Sequence, residues 1–120
     1  MRLELVPLPS TDVERSKAFY VDGVGFTLDH DVEPGNGMRV VQLTPPGSAC
    51  SIVIGVGISD PHAAPVLNIH LVVADVDAAR RELIGNGVEV SDVHDMGGGI
   101  RYAYFSDPDG NSWALQQISR

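Results

Sequence analysis

Apolar and polar residues alternate in short blocks along this chain, and the period of the alternation changes from two to about 3.6 and back. The apolar stretch Leu3 to Leu8 has the length of a strand. Ser10-Thr11-Asp12-Val13-Glu14 follows, placing capping side chains ahead of a helix, with Thr11 or Asp12 as its N-cap. Val13, Ser16, Phe19 and Tyr20 recur at helical spacing, which predicts a helix to about Asp22, stopped by Gly23 and Gly25. Phe26 to Val32, Met38 to Thr44 and Cys50 to Gly55 then read as strands. Turns at Glu33 to Gly37 and at Pro45-Pro46-Gly47 separate them. The order is βαβββ.

The second half runs through the same order. Val66 to Val73 is a strand pattern, Asp75 is placed to cap a helix reaching about Gly85, and Val76, Ala79, Leu83 and Ile84 form its inner face. Val88 to Val93, Ile100 to Ser106 and Ser112 to Ile118 read as the three closing strands, parted by Gly97-Gly98-Gly99 and Asp107-Pro108-Asp109-Gly110. Asp12-Val13 falls on Asp75-Val76, and Pro45-Pro46-Gly47 on Pro108-Asp109-Gly110, at one shared offset of 63 residues. Two anchors at a single offset mark an internal repeat. The segment from Gly57 to Pro65 has loop composition and links the two halves. A sheet with a helix on one face leaves its other face to be covered.

Composition narrows the function. The 120 residues carry 16 acidic and 8 basic side chains, a formal charge of −8. The basic residues are scattered, so no positive stripe exists to neutralise a phosphate backbone, and nucleic acid is excluded as a partner. The longest apolar runs fall far short of a membrane span, and no secretory pattern opens the sequence, so the expectation is a cytoplasmic protein that does not bind membranes. A single cysteine, Cys50, allows no internal disulfide. The acidity favours a cationic over an anionic ligand.

The paired βαβββ modules, the Asp-Val start of each helix, Phe19-Tyr20 with Gly25-Phe26 behind it, and the closing Asp107-Pro108-Asp109-Gly110-Asn111-Ser112-Trp113 resemble the vicinal oxygen chelate superfamily. That superfamily includes glyoxalase I, extradiol dioxygenases, fosfomycin resistance enzymes and bleomycin-resistance proteins. The resemblance spans the chain and implies an α+β fold: one domain over 1–120, with module one at 1–56, a linker at 57–65 and module two at 66–120, curled into a partial barrel around a cavity. It also implies a homodimer.

Metalloenzymes of the superfamily place one ligand on the first and fourth strand of each module. Carried onto this sequence through the helix-start aspartates and the turn glycines, those positions are Leu5, Ser51, Asn68 and Ala114. Leu and Ala have no donor, Ser is a weak neutral ligand, and only Asn68 offers a reasonable oxygen, so neither a metal site nor a cofactor is expected. His70 lies two residues beyond Asn68 on the same strand face. It reads as a metal ligand, as a residue orienting a ligand, or as a structural histidine. His30, His62 and His94 fall near loops and strand ends and read as solvated, with a metal cluster among them left open.

No phosphate loop, carboxylate pair or nucleophilic triad assembles from Gly97-Gly98-Gly99, Asp107 with Asp109, or the serines. Residues of cavity-facing parity are Leu5, Pro7, Ser51, Val53, Asn68, His70, Ala114 and Gln116, joined by Tyr102 and Tyr104. Strand parity sends Trp113 the other way, under a helix. A mostly apolar surface with a few amide and imidazole groups suits a small molecule. The function expected is metal-independent binding of an aromatic or cationic natural product such as an antibiotic, with no catalytic residue. A metal-dependent lyase, isomerase or dioxygenase of the glyoxalase type is the alternative, and a closed-up domain that only dimerises is a third.

Overall fold

The computed structural model describes residues 1–118. It resolves into two compact units, Met1–Pro65 and a second beginning at Val66, each an open four-stranded mixed sheet with a helix on one face. The fold is α+β, two βαβββ modules in tandem.

In the first unit β1 (Leu5–Pro7) leads to α1 (Val13–Ala18), followed by β2 (Thr27–Gly35), β3 (Met38–Thr44) and β4 (Ser51–Val56). The sheet order is β1-β4-β3-β2, with β1 parallel to β4 and the other pairs antiparallel. Asp12 caps α1, its carboxylate accepting the Arg15 amide at 3.1 Å, a contact worth about 1 kcal/mol. The helix widens after Ala18 into a π-helical stretch, Phe19–Val24, and closes at Gly25 in the left-handed region at φ 88°, later than the expected end near Asp22. Tyr20, fully buried, stacks on Phe26 at 5.4 Å. Val41, Leu43, Ile52 and Ile54 complete the core on the helix side of the sheet. The turn expected over Glu33 to Gly37 shrinks to Asn36-Gly37, both at positive φ, so β2 runs on to Gly35. A two-residue loop of that kind matches strand twist.

The second unit contains β5 (Ile69–Val72), α2 (Val76–Gly85), β6 (His94–Asp95), β7 (Ile100–Ser106) and β8 (Ser112–Ile118), in the order β5-β8-β7-β6. Asp75 caps α2 through the Ala78 amide at 3.1 Å, and Gln117 accepts the Val76 amide at 2.8 Å. Val76, Leu83, Val88, Ala103, Phe105, Trp113 and Leu115 are buried. Phe105 and Trp113 lie nearly parallel at 6.1 Å, so Trp113 packs on the helix side as strand parity required. Ile84, expected on the inner face of α2, is 43% exposed.

Two strand expectations in this unit are corrected. The strand expected over Val66 to Val73 is confined to Ile69–Val72. Asn68 takes φ 60°, and the Val66 and Asn68 amides donate to the Asn111 and Ser112 side chains, so although the Val66 carbonyl accepts the Ser112 amide at 2.9 Å, the regular ladder starts at Ile69. Val88 to Val93 forms no strand, and the edge strand is only His94–Asp95. Ser91 is the reason: its amide donates to the Tyr104 carbonyl while its hydroxyl, not its carbonyl, accepts the Tyr104 amide. A side chain thus replaces one rung of the ladder.

The Asp-Pro-Asp-Gly-Asn turn is a hydrogen-bond knot closed by its buried ends, Asp107 and Asn111. One Asp107 oxygen accepts the Asp109 and Asn111 amides and the other the Asn111 side-chain amide, while Asn111 in turn accepts the Val66 amide. The turn thereby fixes where β5 enters the sheet. Among the described residues no helix is long and apolar enough to cross a membrane.

Candidate functional site

Side-chain parity divides each sheet into a helix face and an open face. In the first unit, Leu5, Pro7, Ser51 and Val53 share the open face through the pairs Leu5 with Ser51 and Pro7 with Val53. Gln42 and Thr44 join them from β3, because Gln42 stands opposite Val53. The group is linked by polar contacts: Gln42 Nε2 donates to Ser51 Oγ at 3.3 Å, Ser51 and Thr44 hydroxyls lie 2.6 Å apart, and Thr44 donates to Asp29. Since the Thr44 hydrogen goes to the carboxylate, the Ser51 hydrogen goes to Thr44, and the chain runs in one direction to a negative charge. Neither Gln42 nor Thr44 stood out in the sequence, although the parity count applied to Ser51 reaches them once the β3–β4 register is known.

On the second unit's open face His70 stands opposite Ala114 and Val72 opposite Gln116, and across β8 Tyr104 faces Ala114 and Tyr102 faces Gln116. Ala114 is buried and carries only a methyl group, so the His70 ring reaches past it to meet Tyr102 edge to face at 5.6 Å. Tyr102 lies nearly parallel to Tyr104, 17° apart at 5.9 Å, and Tyr104 meets His94 at 5.7 Å. Four rings therefore form a continuous strip, His70, Tyr102, Tyr104 and His94. Gln116 Nε2 donates to the Tyr102 hydroxyl at 3.2 Å. His94, read from sequence as solvated, joins the strip because β6 pairs it with Tyr102. His30 stands in β2 opposite Gln42, and His62 follows β4 within the first unit, where its amide donates to Asp60.

The register corrects the placement of the third family position. Leu5 pairs with Ser51, and the residue that pairs with Ala114 in the same parallel geometry is His70, not Asn68. Asn68 sits ahead of β5 with a left-handed backbone. The four positions are therefore Leu5, Ser51, His70 and Ala114. Each strand pair offers at most one side-chain donor, a hydroxyl in one and an imidazole in the other, so these residues do not fit a divalent ion held by imidazole and carboxylate ligands. Among the described residues no group of three or more His, Cys, Asp or Glu side chains is gathered as a metal site.

Charge is concentrated elsewhere, on the helix side of the first sheet. Asp31 accepts from both Arg39, at 2.9 and 3.0 Å, and Lys17, at 2.7 Å, while Arg39 also reaches Glu14. The Arg39 and Lys17 hydrogen bonds hold the Asp31 carboxyl well below the usual carboxylate range, and Asp31 with Glu14 pushes Arg39 higher still. A concavity of about 320 Å³ beside this network is lined by Ser10, Asp12, Glu14, Arg39 and Pro61. Its cation is already engaged by two carboxylates, and no aromatic ring lines it.

Comparison with known proteins agrees with this architecture. The profile of the Glyoxalase/Bleomycin resistance protein/Dioxygenase superfamily matches residues 2–115. Among solved structures, TnmS3, an antibiotic binding protein from Streptomyces sp. CB03234, is 38% identical with a TM-score of 0.85, the match covering 99% of this chain and 97% of that one. A glyoxalase/bleomycin resistance protein from the same organism is also 38% identical, with a TM-score of 0.80 and 97% and 100% coverage. A superfamily member from Sphaerobacter thermophilus DSM 20745 is 29% identical, with a TM-score of 0.83 and 98% and 97% coverage. No curated protein sequence matches. The chain belongs to the glyoxalase/bleomycin resistance protein/dioxygenase superfamily.

Proposed function

We propose that the protein binds and sequesters a small molecule, an antibiotic or related natural product with aromatic or cationic character, without a metal ion, and that it works as a cytoplasmic homodimer. The observation that carries this reading is the ring strip His70–Tyr102–Tyr104–His94 on the open face of the second sheet. Such a surface offers stacking area together with a few oriented polar groups, Gln116 and the Tyr102 hydroxyl among them, which is the composition of a small-molecule site. Similarity to an antibiotic binding protein at 38% identity over nearly the whole chain supports the same class of ligand. The donor-poor set Leu5, Ser51, His70 and Ala114 supports binding over glyoxalase-type metal chemistry. The net charge of −8 supports a cation where the ligand is charged.

The test is a thermal-shift and calorimetric screen of aromatic and cationic antibiotics, run with and without a chelator. Mass spectrometry of the recovered ligand and native mass spectrometry of the protein accompany it. A raised Tm that the chelator leaves unchanged, with ligand recovered intact from a dimer, is the expected result. A screen without any shift overturns the binding reading. A chelator-sensitive shift or a chemically altered ligand replaces it with the metalloenzyme reading.

A further inference from the structure

The imidazole of His70 is oriented by its own strand. Nδ1 lies 2.8 Å from the Asn68 carbonyl oxygen, and a carbonyl can only accept, so the hydrogen of the neutral ring resides on Nδ1. The carbonyl is itself held, because Asn68 is fixed at φ 60° with its amide donating to Ser112 Oγ at 2.8 Å. Nε2 is therefore a bare acceptor. It has no partner among the described residues, and His70 is exposed on the same face as Tyr102 and Tyr104. The neighbouring strands leave that acceptor unopposed: β8 presents Ala114 and Gln116, which do not titrate, and β7 and β6 present Tyr102, Tyr104 and His94.

We propose that His70 selects, among aromatic ligands, those that carry a hydroxyl or N–H hydrogen at the ring's edge, by presenting a fixed Nε2 acceptor beside the tyrosine pair. This rests on the small-molecule reading above and names the ligand chemistry of the same strip. A neutral acceptor discriminates sharply between a phenol and its methyl ether, because only the first supplies the hydrogen.

The experiment uses the full chain with 2-naphthol and 2-methoxynaphthalene as paired probes, titrated by fluorescence against the wild type and against His70→Phe, which keeps a ring and removes the acceptor. The expected result is that the wild type prefers the naphthol by about fivefold, the factor given by one ordinary net hydrogen bond. His70→Phe brings the two affinities together. Long-range ¹H–¹⁵N NMR of the imidazole is expected to find the Nδ1–H tautomer. Equal affinities in the wild type, a preference that survives His70→Phe, or an Nε2–H tautomer overturns the selection by His70 while leaving the binding reading standing. Failure of both probes to bind overturns this inference, while the antibiotic screen decides the binding reading separately.

Discussion

Tyr102 and Tyr104 lie 17° from parallel with ring centroids 5.9 Å apart, on a sheet face that α2 does not cover. Their shared ring surface makes them the centre of the proposed site. Replacing either with Leu keeps an apolar side chain on the strand but removes the π face, and is expected to weaken binding of an aromatic ligand by about 1 kcal/mol, roughly fivefold. Calorimetric titration of each variant checks this, with an unchanged thermal melt showing that the fold survives.

The metal question has its own outcome. With Leu5 and Ala114 at two of the four family positions and no gathered donor group among the described residues, addition of zinc, nickel, manganese or iron is expected to leave the native mass free of a stoichiometric ion. Ligand affinity is expected to be the same before and after chelator treatment. One tightly held ion per chain would reverse the donor argument.

Acid should loosen the first unit through Asp31. Its folded carboxyl is held below the ordinary value by Arg39 and then Lys17, so its stabilising contribution is fully present above the unfolded value of about 3.9 and is lost as pH falls through the folded one. Asp31→Asn is expected to be less stable than wild type at neutral pH and to show a flatter acid limb. Urea unfolding followed from neutral pH downward measures both, and the gap should narrow in high salt, which screens exposed ion pairs. Parallel curves of equal slope would show that the ion pairs do not contribute.

Gly55 is expected to tolerate no side chain. A methyl group there would collide with the Arg39 carbonyl on the neighbouring strand, which can retreat only if β3 and β4 part. Gly55→Ala should cost about 1–3 kcal/mol, the usual penalty of overpacking, read as a lowered midpoint in chemical denaturation. A neutral substitution would mean that the strand pair has slack.

The Asp107–Asn111 knot should matter for assembly of the second sheet. Asp107→Ala removes the acceptor of two backbone amides and one side-chain amide, and the expected loss is about 2–3 kcal/mol or failure to fold. Asn111→Ala releases the Val66 amide as well, and hydrogen exchange should then rise first at the start of β5.

Much of this architecture is legible in the residues themselves. Asp12 and Asp75 announce the helix starts, the Pro-Gly turns space the strands, and β7 and β8 occupy the runs that alternation marks out. The short edge strand is hidden because Val88 to Val93 has strand composition, and only the three-dimensional position of the Ser91 hydroxyl reveals why it does not pair. His94 is hidden for the same reason, since its neighbour Tyr104 lies ten residues away across a hairpin. The polar chain through Gln42 and Thr44 depends on cross-strand register, which no local pattern encodes.

The place of His70 was obscured by a difference of length. Leu5 precedes the cap Asp12 by seven positions, but its counterpart His70 precedes Asp75 by five. The difference is even, and for a pleated strand that is what makes it harmless: after a loss of two residues every side chain still points to the face it had before. Loss of one would have turned Ile69 and Leu71 away from α2 and His70 beneath it. At this junction the two halves differ in length by an even number, so Leu5 and His70 keep equivalent places on the open face of their sheets.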